Sequence, residues 1–118
     1  MLNVKGLFSS IGLVVFLATA EPCETLTPEQ AIHHIGEQAT VEGIVVQVSV
    51  SNKGTVFLNF GDHFPDQVFY AVIFADDVHR FPAVQELEGR NVAISGRVEL
   101  YRGSPEIILA SPNQIEMP

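Results

Sequence analysis

Between residues 53 and 74 the chain reads KGTVFLNFGDHFPDQVFYAVIF, and its hydrophobic positions change rhythm twice. Val56, Leu58 and Phe60 alternate with Thr55, Phe57 and Asn59, the period of a strand with one apolar face. Residues 61–67 form a polar loop containing Pro65, after which residues 68–74 return as a run that is apolar on both faces. The two runs predict a central hairpin with Phe69, Ala71 and Ile73 turned inward beside Val56, Leu58 and Phe60. Strict alternation then leaves Phe57, Asn59, Tyr70, Val72 and Phe74 on the outer face.

The flanking segments supply the rest of a small β domain. Residues 40–50 (TVEGIVVQVSV) predict a long strand with Ile44, Val46, Val48 and Val50 on one face and Val45, Gln47 and Ser49 on the other. Gly43, near its start, is the expected site of a bulge or coil that lets one strand serve two sheets. Before it, Thr27-Pro28-Glu29-Gln30 combines an N-cap hydroxyl, a first-turn proline and a capping-box glutamine. Residues 28–35 therefore predict a short lid helix with Ala31, Ile32 and Ile35 on its apolar face. Residues 76–87 predict a second short helix, broken at Pro82, that packs Val78, Phe81, Val84 and Leu87. A fourth strand follows over 91–101, with Val92, Ile94 and Val98 as core candidates. The turn Arg102-Gly103-Ser104 leads to a fifth strand over 105–110, with Ile107 and Leu109 on one face. This order predicts an all-β domain with one or two short helices, a five-stranded Greek-key OB-fold barrel over residues 27–118.

The first residues change the picture of where that domain works. One lysine, Lys5, precedes an apolar run from Leu7 to Ala18, with small residues at Ala18 and Ala20. Residues 1–20 predict a cleaved signal peptide, and the apolar run is shorter than the roughly 20 residues a membrane-spanning helix needs. The alternative is an uncleaved anchor. With cleavage, residues 21–26 are a tether, the protein is periplasmic or secreted, and no stable membrane insertion is expected. Cys23 is the sole cysteine, which excludes an internal disulfide and leaves a free tail thiol, a bond between chains or lipid attachment. The formal net charge is −8 and becomes −9 once Lys5 leaves with the signal peptide. So acidic a surface repels polyanions on average, and a nucleic acid has to find a local basic patch.

Several stretches carry a resemblance. Lys53-Gly54, Phe57-Leu58-Asn59-Phe60-Gly61, Pro65, Phe69 to Phe74, Leu87-Glu88-Gly89 and Leu100-Tyr101-Arg102-Gly103-Ser104-Pro105-Glu106-Ile107-Ile108, closing on Ser111-Pro112-Asn113-Gln114-Ile115, resemble the small bacterial OB-fold nucleic-acid-binding domains. The chain is similar to the exported, single-domain form of these proteins and to the OB domains appended to bacterial nucleases. The likeness spans residues 29–115 and implies a ligand of single-stranded nucleic acid, DNA or RNA.

In an OB-fold the ligand crosses strands two and three between two loops. That places Phe57, Asn59, Tyr70 and Phe74 on the candidate binding face, bordered by Lys53 and by Tyr101 and Arg102. The other reading of Phe57 and Phe74 is that helices or a partner subunit cover them. Base stacking contributes roughly 1–3 kcal/mol per base. Three cations, Lys53, Arg97 and Arg102, give a salt slope of only about −2 on single strands. Binding is therefore expected to be weak and led by stacking. A protein, peptide or cationic ligand on the same face is the alternative partner, for which acidity is favourable.

Other chemistry is poorly supported. Asp62, His63 and Asp66 share a loop without a recognised ligand spacing, and adjacent His33 and His34 point about 100° apart on a helix, so no metal is expected. The chain has no nucleophile elbow and no phosphate-cradling glycine loop, so neither catalysis nor a cofactor is expected.

Overall fold

The computed structural model describes residues 25–118. The expected signal peptide, Cys23 and most of the tether lie outside the described residues. Among the described residues eight strands form one hydrogen-bonded sheet: β1 (Thr25–Leu26), β2 (Gln38–Val50), β3 (Val56–Phe60), β4 (Phe69–Ile73), β5 (Asn91–Arg97), β6 (Glu99–Tyr101), β7 (Ser104–Ile108) and β8 (Ile115–Glu116). The order across the sheet is β6-β7-β4-β3-β2-β5-β8, with β1 parallel to β2. No ladder joins the two ends of this path. β6, at one end, nevertheless follows directly in the chain from β5, next to the other end, because the two are separated only by Val98. At that residue the backbone turns away from the ladders and bonds Gly36 and Glu37, donating at 2.9 Å and accepting at 2.7 Å.

The long strand β2 serves two sets of partners, as expected, but the device differs. Residues 38–44 pair with β5 and residues 45–50 with β3. The register slips between Val45 and Gln47, so the irregularity falls at Val46 and not at Gly43. An extra residue in one strand reverses the inside–outside parity beyond it. Ala39, Val41 and Val45 consequently fill the core and Val48 packs against it, while Ile44 is exposed; Val50, on the Val48 face, is exposed as the last residue of the strand. Gly43 has another role: a Cβ there would lie 2.7 Å from Pro28 Cγ, so the missing side chain admits the proline of the lid.

That lid is a 3₁₀ helix, Pro28–His34. Its capping box forms as predicted, Gln30 N donating to Thr27 Oγ1 at 3.3 Å and Thr27 N to Gln30 Oε1 at 2.9 Å. With three residues per turn the buried positions recur every third residue. Pro28 and Ala31 are buried, and the expected apolar partners Ile32 and Ile35 are exposed. The same spacing explains the second helical region. It splits around Pro82 into Ala75–Arg80 and Val84–Leu87, and Val78, Phe81, Val84 and Leu87, each three residues apart, all reach the core.

One core cluster unites both ladders, with Leu58, Phe60, Phe69, Ile73, Val92, Ile94, Val98, Ile107 and Leu109 fully buried. Leu26, placed by sequence in the tether, is buried in the same cluster. Among the described residues no helix is long and apolar enough to cross a membrane.

Candidate functional site

The outer faces of β2, β3, β4 and β7 carry two rows of side chains set by register. One row runs Gln47, Asn59, Tyr70, Glu106 and ends on Glu99 of β6; the next runs Ser49, Phe57, Val72, Ile108. The first row is polar and holds two bonded groups. Asn59 Nδ2 donates to Gln47 Oε1 at 2.9 Å and to Ser49 Oγ at 3.1 Å. The Tyr70 phenol donates to the Glu106 carboxylate. In the second row the Phe57 ring meets Tyr70 edge-on, with centroids 5.5 Å apart and planes at 63°.

Above these rows lies a cleft of about 540 Å³. Its floor is Phe57, Asn59 and Tyr70, and Ser49 to Ser51 close one side. The loop between β3 and β4 contributes Phe64, Pro65 and Gln67, and the β6–β7 turn contributes Tyr101, Arg102 and Ser104. Gln47 Oε1 also accepts from Phe64 N at 2.9 Å, so the polar row fixes the loop that holds the most exposed ring, Phe64 at 68%. Opposite it, the Arg102 guanidinium lies 5.2 Å from the Tyr101 ring centroid, a cation–π contact on a half-exposed aromatic. Arg102 and Gly103 both have positive φ, 52° and 83°, the requirement of a two-residue hairpin turn that matches strand twist. Gln67 Oε1 is buried in the wall without a hydrogen-bond partner.

Five of the seven residues expected at the site therefore meet in one cleft: Phe57, Asn59, Tyr70, Tyr101 and Arg102. Two of them differ in exposure from the expectation. Asn59 and Tyr70 are 1% and 6% exposed, because each is spent on a cross-strand partner. They position the face more than they present it. Lys53 and Phe74 do not line the cleft. Lys53 sits in the β2–β3 turn, its amide donating to Ser51 Oγ at 3.3 Å, and half-exposed Phe74 precedes the Ala75–Arg80 helix. Phe64 and Gln67 were missed as contact residues; the signal available was an aromatic beside Pro65 in an otherwise polar loop.

No protein-family model and no curated protein matches the chain. Solved structures do. OBody AM1L10 bound to hen egg-white lysozyme is similar at TM-score 0.59 and 20% identity, over 85% of this chain and 98% of that one. OBody AM2EP06 bound to hen egg-white lysozyme is similar at 0.58 and 18%, over 84% and 96%. A Leishmania major Friedlin protein described as an aspartyl-tRNA synthetase aligns at 0.52 and 12% over 85% of this chain and 22% of its own. What is shared is an OB-like fold. OBodies are OB-fold scaffolds, and at these identities the likeness carries architecture alone.

On this OB-like frame the Tyr70–Glu106 pair has its own pH signature. Burial first, then the Glu106 charge, hold the Tyr70 phenol above the ordinary tyrosine range. Burial also raises Glu106 above its usual 4.5; the Tyr70 hydrogen bond opposes this and the Glu99 charge adds to it. The folded protein thus holds a proton on Glu106 that the unfolded chain has released, so this group's contribution is full below about pH 4.5 and is lost as pH rises through the raised pKa. Glu106→Gln, which keeps an acceptor for Tyr70, is expected to flatten stability against pH in that window, as read by denaturant midpoints across a pH series.

Proposed function

We propose that this protein is an exported, non-catalytic OB-fold module that binds single-stranded nucleic acid weakly by stacking bases on the rings of its cleft. In this reading β5 and β6 are one strand broken at Val98, and the sheet is the five-stranded Greek-key barrel expected from the strand order, with β1 and β8 as additions. The observation that supports the reading is the position of the cleft. It lies on the face of β3 and β4, between the β3–β4 loop and the β6–β7 turn, and combines Phe57, Phe64 and Tyr101 with Arg102. OB-folds take extended strands on this face, and aromatic rings beside a cation suit base and phosphate.

Titration of fluorescently labelled single-stranded DNA and RNA at low and moderate salt, followed by anisotropy, tests it. Tyr101→Ala and Phe57→Ala are each expected to weaken binding by about 5- to 150-fold, the equivalent of roughly 1–3 kcal/mol per stacked base. Tyr101 is half exposed, so its loss leaves the fold intact. Absence of binding at tens of micromolar protein in low salt would overturn the proposal.

A second reading is favoured by the charge around the rings. Asp62 and Asp66 bracket Phe64 in sequence, and Glu99, on the same strand as Tyr101, lies opposite Glu106, against Arg102 as the one Lys or Arg lining the cleft among the described residues. A protein segment or cationic ligand on the same face matches this balance. Retention of a protein from periplasmic extract by the wild type and its loss in Phe57→Ala, with nucleic acid unbound, would establish it.

A further inference from the structure

Resting on the nucleic-acid reading of the cleft, we infer that the site holds one short segment of strand, two or three bases with a single phosphate paired to Arg102, and gains nothing from a longer chain. Size is the first ground. About 540 Å³ lies within the roughly 300–1,000 Å³ of small-molecule pockets, whereas sequence-tolerant OB domains track about 4–16 nucleotides along an extended basic groove.

Charge is the second ground and the decisive one. Among the described residues Arg102 is the sole Lys or Arg lining the cleft. The other described cations stand elsewhere: Lys53 in the β2–β3 turn, Arg80 at 3.6 Å from Asp77, Arg90 immediately before β5 with its backbone carbonyl accepting from Val45 N, and Arg97 against Gly36. Both walls that carry stacking rings also carry acids. Asp62 and Asp66 are exposed on the loop of Phe64, and Glu99 is exposed two residues before Tyr101. Apart from Arg102, which takes the one phosphate, the Lys, Arg, Asp and Glu residues within two positions of either ring are all acids. Every added nucleotide beyond the rings therefore brings repulsion without a compensating pair.

The test compares labelled oligodeoxythymidines of three, six and twenty nucleotides with the full chain, by anisotropy over a series of salt concentrations. Affinity is expressed per available binding register, which removes the statistical gain of a longer strand. The expected result is that this affinity is unchanged or falls from three to twenty nucleotides. The expected slope of log K against log salt is about −0.7, the value for one phosphate on a single strand. Arg102→Gln takes that slope towards zero and Arg102→Lys keeps it. Per-register affinity that rises with length, with a slope of about −2 or steeper, would overturn the inference and leave stacking on the cleft in place. No binding of any length would remove the nucleic-acid reading and the inference together.

Discussion

Phe60→Ala is expected to lower the unfolding free energy by about 3–5 kcal/mol, the range for emptying a buried aromatic site. Phe60 is fully buried at the end of β3, its ring 5.3 Å from Phe69 and tilted 55° to it. Its main chain pairs with Val45 on one side and Phe69 on the other, and its carbonyl accepts from Val68 N at 3.0 Å. The ring therefore fills the junction of three strands, where a cavity cannot close without moving two ladders. Domains of this size have about 5–15 kcal/mol in total, so the variant sits near the edge of folding. Urea titration reads the effect as a lower midpoint with the slope preserved. Phe60→Leu refills part of the space and loses less. A loss under about 1 kcal/mol for Phe60→Ala would contradict the packing described for this junction.

The second large effect is expected one residue further on. Gly61 has φ of 90°, and a Cβ there would lie 2.5 Å from Val68 Cγ2. Gly61→Ala therefore combines a left-handed backbone cost of about 1–2 kcal/mol with overpacking of about 1–3 kcal/mol. The two parts separate in a double-mutant cycle. Val68→Ala in the Gly61→Ala background restores the steric part and leaves the backbone part, so the pair is non-additive. Because Gly61 begins the loop that carries Phe64 and Gln67 to the cleft, the single variant is also expected to weaken ligand binding. Additive losses in the cycle would show that Val68 yields to the new methyl without cost.

Much of this architecture was legible in short sequence patterns, and the exceptions have identifiable causes. Val56, Leu58 and Phe60 alternate within a hairpin whose register has no slip, so their inward placement could be read directly. On β2 the same logic failed beyond Val45, because a one-residue irregularity is a backbone event that no side-chain pattern announces. Helical spacing identified Val78, Phe81, Val84 and Leu87 correctly even though the segment is two 3₁₀ turns, since a three-residue period serves both geometries. The same ambiguity misassigned Ile32 and Ile35.

At the site, Phe57, Tyr101 and Arg102 were recognisable from alternation and turn chemistry, and they line the cleft. Asn59 and Tyr70 were assigned to the outer face, where they are, but their burial depends on Gln47, Ser49 and Glu106. Glu106 in particular has no local signature. Its meaning comes from the parallel β4–β7 ladder, which sets it beside a tyrosine far away in sequence.

That parallel ladder also fixes when the cleft can exist. Tyr70↔Glu106, Ala71↔Ile107 and Val72↔Ile108 are its three rungs, and a parallel pair cannot be closed by a tight turn. The β3–β4 hairpin closes a short loop, whereas pairing β7 with β4 closes the longer stretch that contains the intervening helices and β5. The Tyr101–Arg102 wall is carried by β7's own hairpin partner, so its place beside the cleft depends on β7 pairing with β4. A chain arrested before β7 pairs would display the Phe57 and Tyr70 rings without the cation beside them. The long-range β4–β7 pairing thereby joins an aromatic surface made by a local hairpin to the charge that directs what binds there.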